Sequence, residues 1–322
     1  MAYTMNISKK IVCLGGGIGT MNLVRGLKEY TPDITVVVSA ADNGGSAGRL
    51  RRLFGIFPPG DAISCLAALV PKEEEQLAKL LTYRFPGNRY AKDDKLGGHK
   101  LGSLLLVGAK EVTGDLQSGL KLLEKLFQTC GKVLPSTTED LSISATTIDG
   151  ILVEGEQKID LGQYKGKRIL EHLSIHPENP KVPEEVLSAI ADADTIIAGP
   201  GDLYTTILPV LLIPTIKDAV IASKSKKIYV VNVANKPFET KGYDITHYVE
   251  AVRKHIGSFP FTTIVANNNT AYLIPAKYNY KYVTGAVKNA DDSTLVLADL
   301  VDPLFPLYHD SGKLARIVLD NI

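Results

Sequence analysis

The chain has 322 residues, 45% of them hydrophobic and 22% charged, an ordinary globular mixture long enough to bury a substantial core. A formal net charge of +1 provides no basic field for nucleic acid and no acidic tail for a basic partner. Cys13, Cys65 and Cys130 lie far apart and form neither a disulfide framework nor a zinc set. No stretch approaches the roughly 20 apolar residues of a membrane span, and MAYTMNISKK at the N-terminus lacks a signal core. The expectation is a cytoplasmic protein with no nucleic-acid or membrane partner; a protein partner or a homo-oligomer stays open.

In chain order, residues 10–14 and 35–39 are β-branched, continuous apolar runs, as expected of strands covered on both faces. Leu23, Leu27 and Tyr30 keep helical spacing between them. Residues 73–82, 101–112 and 116–130 read as three successive helices. Residues 141–161 alternate apolar and polar around Asp149 and Gly150, the signal of a β-hairpin, either an antiparallel insertion or an edge of the main sheet. Strands return at 195–200, 227–233 and 261–267, separated by helical segments near 207–223 and 245–256. This alternation predicts a doubly wound, mainly parallel α/β sheet. Residues 1–322 form a single domain, with an inserted helical and hairpin segment at about 70–165.

IVCLGGGIGTMNLVRGL (residues 11–27) sets three glycines between a buried strand and an amphipathic helix. A dinucleotide fingerprint needs G-x-G-x-x-G and an acid at the tip of the second strand. Gly15 and Gly17 fill the first two places, but Thr20 stands where the third glycine belongs, and the first acid is Asp42 in the next loop. Both departures speak against a nicotinamide dinucleotide. The N–H groups of Gly15, Gly16 and Gly17 at a helix start still favour a phosphate or diphosphate, with a structural tight turn as the alternative.

The second loop, SAADNGGSAGRLRRLFGIFPPGD (39–61), places Asp42 and Asn43 after a strand, then Gly44 and Gly45, with Ser46 able to cap the helix that carries Arg49, Arg51 and Arg52. A carboxylate beside glycines and arginines suits a metal-bound or sugar-linked phosphate, which makes Asp42 a candidate metal ligand. Against this stand turn formation for Asp42 and Asn43 and a solvated face for the arginines, which is favoured for each arginine alone. GPGDLYTTILP (199–209) brings Gly199, Pro200, Gly201 and Tyr204 to the same sheet edge, so three loops predict one crevice. His99, just ahead of a helix, is a phosphate donor, a general acid or a cap. His172, His176, His247 and His255 lack metal-ligand spacing, and no hydrolase motif occurs. Beyond Asp61 and Asp202, no further carboxylate cluster stands near the glycine loops in sequence.

Taken in order, GGGIGTMNLVRGLKEYTPDITVVVSAADNGGSAGRLR, PPGD, YRF, GHKLGSLLL, GPGDLYTTILPVLL and NVANKPFETKGYD resemble the YvcK-type gluconeogenesis factors. These form the bacterial branch of the CofD-like superfamily that includes 2-phospho-L-lactate transferase. The resemblance covers residues 10–267 and implies a Rossmann-like core, a cytoplasmic location and binding of a UDP-sugar such as UDP-N-acetylglucosamine. It also implies a regulator of carbon flow to cell-envelope precursors and cell shape, with no catalytic residue assigned. The transferase branch implies the alternative, phospholactyl transfer from a GDP-linked donor to a deazaflavin with Mg²⁺. On the resemblance, Asp61, Asn232, Tyr278 and Tyr308 join the glycine loops, Arg49 and His99 as ligand-binding candidates. Several positions depart from the family pattern. Ala62, Ile63 and Ser64 follow PPGD where an arginine is usual; Asp202 replaces a serine and adds negative charge near an anionic ligand; Tyr308 stands in place of an arginine. Asn235, Lys236, Pro237, Phe238, Glu239 and Thr240 stand for T-Q-P-G-E-T.

Overall fold

The computed structural model describes residues 8–90, 96–287 and 292–322, so most of the N-terminal MAYTMNISKK lies outside the described residues. Strand β1 (Ile11–Gly15) is buried at every position. The glycine turn leads from it into α1 (Gly17–Leu27), which buries Leu23, Val24 and Leu27 at helical spacing. Then come β2 (Ile34–Val38), α2 (Gly45–Phe54), α3 (Pro59–Leu69), α4 (Glu75–Thr82), α5 (Leu101–Thr113), α6 (Leu116–Leu126) and β3 (Gly131–Pro135). An antiparallel unit follows, made of β4 (Ser142–Thr147), β5 (Leu152–Glu154), α7 (Glu156–Asp160) and β6 (Leu170–His176). Helix α8 (Glu184–Ala191) leads back to β7 (Thr195–Ala198). A π-helical turn, Leu203–Ile207, then runs into α9 (Leu208–Leu211) and α10 (Pro214–Ala222). The remainder is β8 (Lys226–Val230), β9 (Ala234–Asn235), α11 (Ile245–Ile256), β10 (Thr263–Asn267), β11 (Lys281–Tyr282), β12 (Thr294–Ala298) and α12 (Ser311–Leu319).

Seven strands form one sheet in the order β12-β10-β8-β7-β1-β2-β3. Every neighbouring pair is parallel, with Ile11 opposite both Ile34 and Thr195. This is the doubly wound α/β fold read from the sequence. The chain first builds outward through β2 and β3, then reverses and builds through β7 to β12 on the other side of β1. The reversal opens a crevice at the carboxyl ends of β1 and β7, where such sheets take ligands.

The hairpin forms around Asp149 and Gly150, where the Gly150 N–H donates to Thr147 O at 2.9 Å. It does not edge the main sheet; it belongs to a separate three-stranded sheet, β5-β4-β6, whose third strand went unread. Residues 156–160 are helix α7 and not the end of a strand. Gly155, at φ +95°, turns the chain out of the strand, and the Gln157 N–H donates to Asn43 Oδ1 at 3.0 Å. Strand β3 also corrects the outline of the insertion. It lies within 70–165 yet pairs with β2, so the helices α2 to α6 are a crossover of the main sheet and the true insertion begins at β4. Among the described residues no single helix is long and apolar enough to cross a membrane.

Candidate functional site

The glycine loops after β1 and β7 interlock. Thr20, which occupies the expected place of the third fingerprint glycine, accepts a hydrogen bond from the Gly16 N–H and donates one to Pro200 O, both at 2.9 Å. The close approach is made by Gly19 instead, where an added Cβ would lie 2.6 Å from Pro200 O. The Gly201 N–H in turn donates to Asn232 Oδ1 at 2.9 Å, tying the loop after β8 to the other two. Thr20→Val keeps the shape but strips both bonds and leaves two buried backbone groups unpaired. It is expected to cost about 1–3 kcal/mol, read as a lowered urea midpoint with an unchanged slope.

Beside these loops lies a pocket of ≈ 310 Å³. Of the residues singled out from sequence, Gly16, Gly17, Asp42, Gly44, Asp61, Gly201, Asn232 and Tyr308 line it. Gly15 ends β1 and is paired with Val38, while Gly199 and Pro200 lie behind the wall that Gly201 presents. Asn43 and Gly45 face α7, with the Gly45 N–H donating to Gln157 Oε1 at 3.2 Å. Ser46 lies inside α2, whose N-cap is Gly44, and so caps nothing.

Arg49 and His99 are not on the pocket wall. Arg49 is buried, donating to His99 Nε2 at 3.2 Å and to the carbonyls of Asn88, Arg89 and Gly97, so it holds the 88–99 loop. Arg51 is half-buried, its guanidinium pairing with exposed Asp140 and bonding the carbonyls of Ala40, Asp42 and Leu141, while Arg52 does lie on the solvated face. Tyr204 is core, its hydroxyl 2.8 Å from that of Tyr243. Tyr278 is exposed under Lys277, and Tyr280 reaches the pocket in its stead. The turn explains this, because Asn279 takes a left-handed φ of 55° between the two tyrosines.

The structure overturns the absence of a further carboxylate cluster. Asp42, Asp61, Glu156, Asp160 and Asp202 all line the pocket, with Arg89 and Lys236 as its basic residues. Glu156 and Asp160 come from α7, one helical turn apart, and both went unread because their segment was expected to be a strand. Desolvation and the charge of Asp42 hold the Glu156 carboxyl well above its ordinary range. Desolvation likewise raises Asp42, against the pull of the Gly44 N–H, Arg89 and a hydrogen bond with Glu156. Asp61 is pushed up to about 7 by desolvation and by Asp42, although Lys100 opposes the shift.

Lys236 is the other feature missed. Its ammonium bonds Asp160, lies 2.6 Å from Asp202 Oδ2 and 3.4 Å from Glu239 Oε1. Burial alone would lower it, but these three carboxylates raise it well above the ordinary lysine value. The extra negative charge expected from Asp202 is thereby cancelled by a lysine that directly follows β9. Burial keeps Glu239 at about 7 even beside Lys236, and its Oε1 accepts from Thr205 Oγ1 at 2.8 Å. The only signal available in the sequence was the pair of departures at Asp202 and Lys236, which neutralise each other.

Fold and site together define a Rossmann-type α/β protein with a polar, carboxylate-rich pocket at its switch point. A family model described as 2-phospho-L-lactate transferase CofD matches residues 11–299. A putative gluconeogenesis factor from Nostoc sp. is 42% identical over 243 residues, 76% of this chain, which spans about half of that protein's length (51%). The gluconeogenesis factor of Bacillus subtilis is 38% identical over 98% of this chain and 99% of its own. A crystal structure of a UPF0052-family protein from Bacillus halodurans superimposes with a TM-score of 0.86 at 34% identity, covering 97% of this chain and 99% of that one. The chain belongs to the CofD family, among its gluconeogenesis-factor-type members.

Proposed function

We propose that the chain binds a nucleotide diphosphate-sugar of the UDP-N-acetylglucosamine type in the switch-point pocket. It then acts in the cytoplasm as a non-catalytic regulator of carbon flow toward cell-envelope precursors and cell shape. The observation that carries this is the convergence of the Gly16–Gly19 turn, Gly201, Arg89 and the rings of Tyr280 and Tyr308 on one pocket at the reversal of the sheet. Arg89 and the N–H groups of Ile18 and Gly19 in the first turn of α1 offer donors to phosphate, and the tyrosines offer flat apolar walls with a polar tip. The relatives' names, gluconeogenesis factors, support the regulatory side.

A divalent cation fits one part of the pocket and not another. The carboxylate oxygens of Asp160, Asp202 and Glu239 lie within 4.8 Å of one another, but they already surround the Lys236 ammonium. Asp42 and Glu156 form a hydrogen-bonded carboxyl pair, both held above their ordinary range by desolvation, and a hard cation would relieve that cost. Mg²⁺ held there would neutralise diphosphate oxygens. This same pair favours the second reading, phospholactyl transfer from a GDP-linked donor to a deazaflavin. A thermal-shift panel of UDP-N-acetylglucosamine, GDP and NAD⁺, each with and without magnesium, separates the two. A melting temperature raised by the UDP-sugar above the others supports the first reading; a shift with GDP alone would replace it by the second.

Tyr308, on the pocket wall, supplies a neutral contact where an arginine would supply a charged one. A charge-assisted bond to phosphate contributes about 1.5–3 kcal/mol against roughly 0.5–1.5 for a neutral one. Tyr308→Arg is therefore expected to tighten UDP-N-acetylglucosamine binding by on the order of tenfold, and more so at low salt. Calorimetric titration of both proteins at two salt concentrations checks it.

A further inference from the structure

We infer that Asp61 determines which anions the pocket accepts: its carboxylate occupies the anion seat of the glycine turn. Pyrophosphate by itself is refused there, and a diphosphate enters only when a divalent cation compensates its charge. This deepens the proposed reading of the same pocket and rests on it for the ligand class.

In dinucleotide-binding sheets the N–H groups of this turn, at the positive end of the first helix, cradle a pyrophosphate. Here the turn is filled from within. The Gly16 N–H is taken by Thr20 Oγ1 at 2.9 Å, and the Gly17 N–H faces the Asp61 carboxylate. A Cβ on Gly16 would come within 2.5 Å of Asp61 Oδ2 and 3.1 Å of its Cγ. The space that glycine leaves at this position is therefore filled by a carboxylate of the chain. Asp61 stands in the first turn of α3, and the preceding Gly60 packs against Asp42, whose Oδ2 would be 3.4 Å from a Cβ there. An incoming diphosphate thus meets Asp61 and Asp42 together, with Asp202 across the pocket.

The positive charge behind Asp61 is Lys100. Its ammonium donates to Gly60 O at 3.0 Å and to Ser64 Oγ, and it faces Asp61 without a direct ion pair. Asp61→Asn keeps the shape and an acceptor for the Gly17 N–H. It removes the negative charge and leaves the lysine behind the turn uncompensated. The variant should therefore become an ordinary phosphate-binding turn.

The test is calorimetric titration of inorganic pyrophosphate at pH 8, above the value of about 7 to which Asp61 is raised, so that its carboxyl is ionised, into wild type and Asp61→Asn, each in EDTA and in excess magnesium. In EDTA the variant is expected to bind at least roughly tenfold more tightly than wild type, because a like charge within a few ångströms of the ligand is gone. Magnesium is expected to improve wild-type binding by a larger factor than that of the variant. Equal affinities in EDTA, no measurable binding by the variant, or the same magnesium gain in both proteins would each overturn the inference. Should the asparagine variant not fold, Asp61→Ser removes the same charge and gives the same comparison. The probe carries neither base nor sugar, so failure of the nucleotide-sugar reading would leave the Asp61 result standing, and the reverse.

Discussion

Lys236→Met is expected to destabilise the protein by about 3–5 kcal/mol at pH 8, the cost of taking one partner from a buried ionic cluster. The ammonium is surrounded by Asp160 from α7, Asp202 from the loop after β7 and Glu239 from the segment before α11. Its loss leaves three carboxylates facing one another and unfastens the inserted helix from the core sheet. The pH dependence has a definite sign. Glu239 already sits at about 7 in the folded chain, above its ordinary 4.5, so the folded state holds its proton more tightly than the unfolded state does. Such a group favours folding most below about 4.5, and that contribution is lost as pH rises through about 7. Lys236 opposes this upward shift, and its removal enlarges it. The deficit of the variant should therefore shrink between pH 8 and pH 5.5. Urea unfolding at the two pH values reads this directly; an equal deficit at both would reduce Lys236 to a packing role.

Gly19→Ala is the second large effect, and it acts through shape. The added Cβ would lie 2.6 Å from Pro200 O, 2.7 Å from its carbonyl carbon and 3.0 Å from Gly201 N. All three are backbone atoms of the partner loop, so no side chain can swing aside. Either the loops after β1 and β7 separate or α1 shifts. Overpacking of this kind costs about 1–3 kcal/mol, and the ligand pocket between the loops should be lost with it. Gly108 supplies the control, since it lies exposed in α5 with nothing within 4 Å of a Cβ. Gly108→Ala should be neutral or stabilising by up to about 1 kcal/mol, in keeping with the helix propensity of alanine. If Gly19→Ala melts like Gly108→Ala and still binds ligand, the interlocked loops do not form the site.

The main sheet was legible because its strands are covered on both faces. β1, β2, β7 and β10 are short runs of apolar and β-branched residues, and glycines mark two of the turns that follow. β3 and β12 were not. β3 opens with Gly131 and Lys132, which leaves it only a short apolar run, whereas β12, a partly exposed edge strand, does carry the apolar run 295–298 and still went unread. Within the site, the residues that follow strand ends in the chain were found, among them Asp42 and Gly201, while Asp61, in the first turn of α3, was found through the family resemblance. Glu156 and Asp160 were missed because both reach the pocket from α7 of the insertion, and Tyr280 because it comes from a separate loop with no local mark, while Lys236 was marked only by its departure from the family pattern. Thr20 is instructive in the other direction. Its hydroxyl was counted against the fingerprint, yet it closes the turn that the missing glycine would have packed, while Gly19 supplies the close approach one residue earlier.

The most direct measurement is a crystal structure of the protein grown with UDP-N-acetylglucosamine and magnesium. The expected result is a diphosphate in the pocket bounded by the Gly16–Gly19 turn, Gly201 and Arg89, with Tyr280 or Tyr308 against the base or the sugar. A ligand seated elsewhere on the surface, with this pocket filled only by solvent, would contradict the assignment of the switch-point crevice as the nucleotide-sugar site.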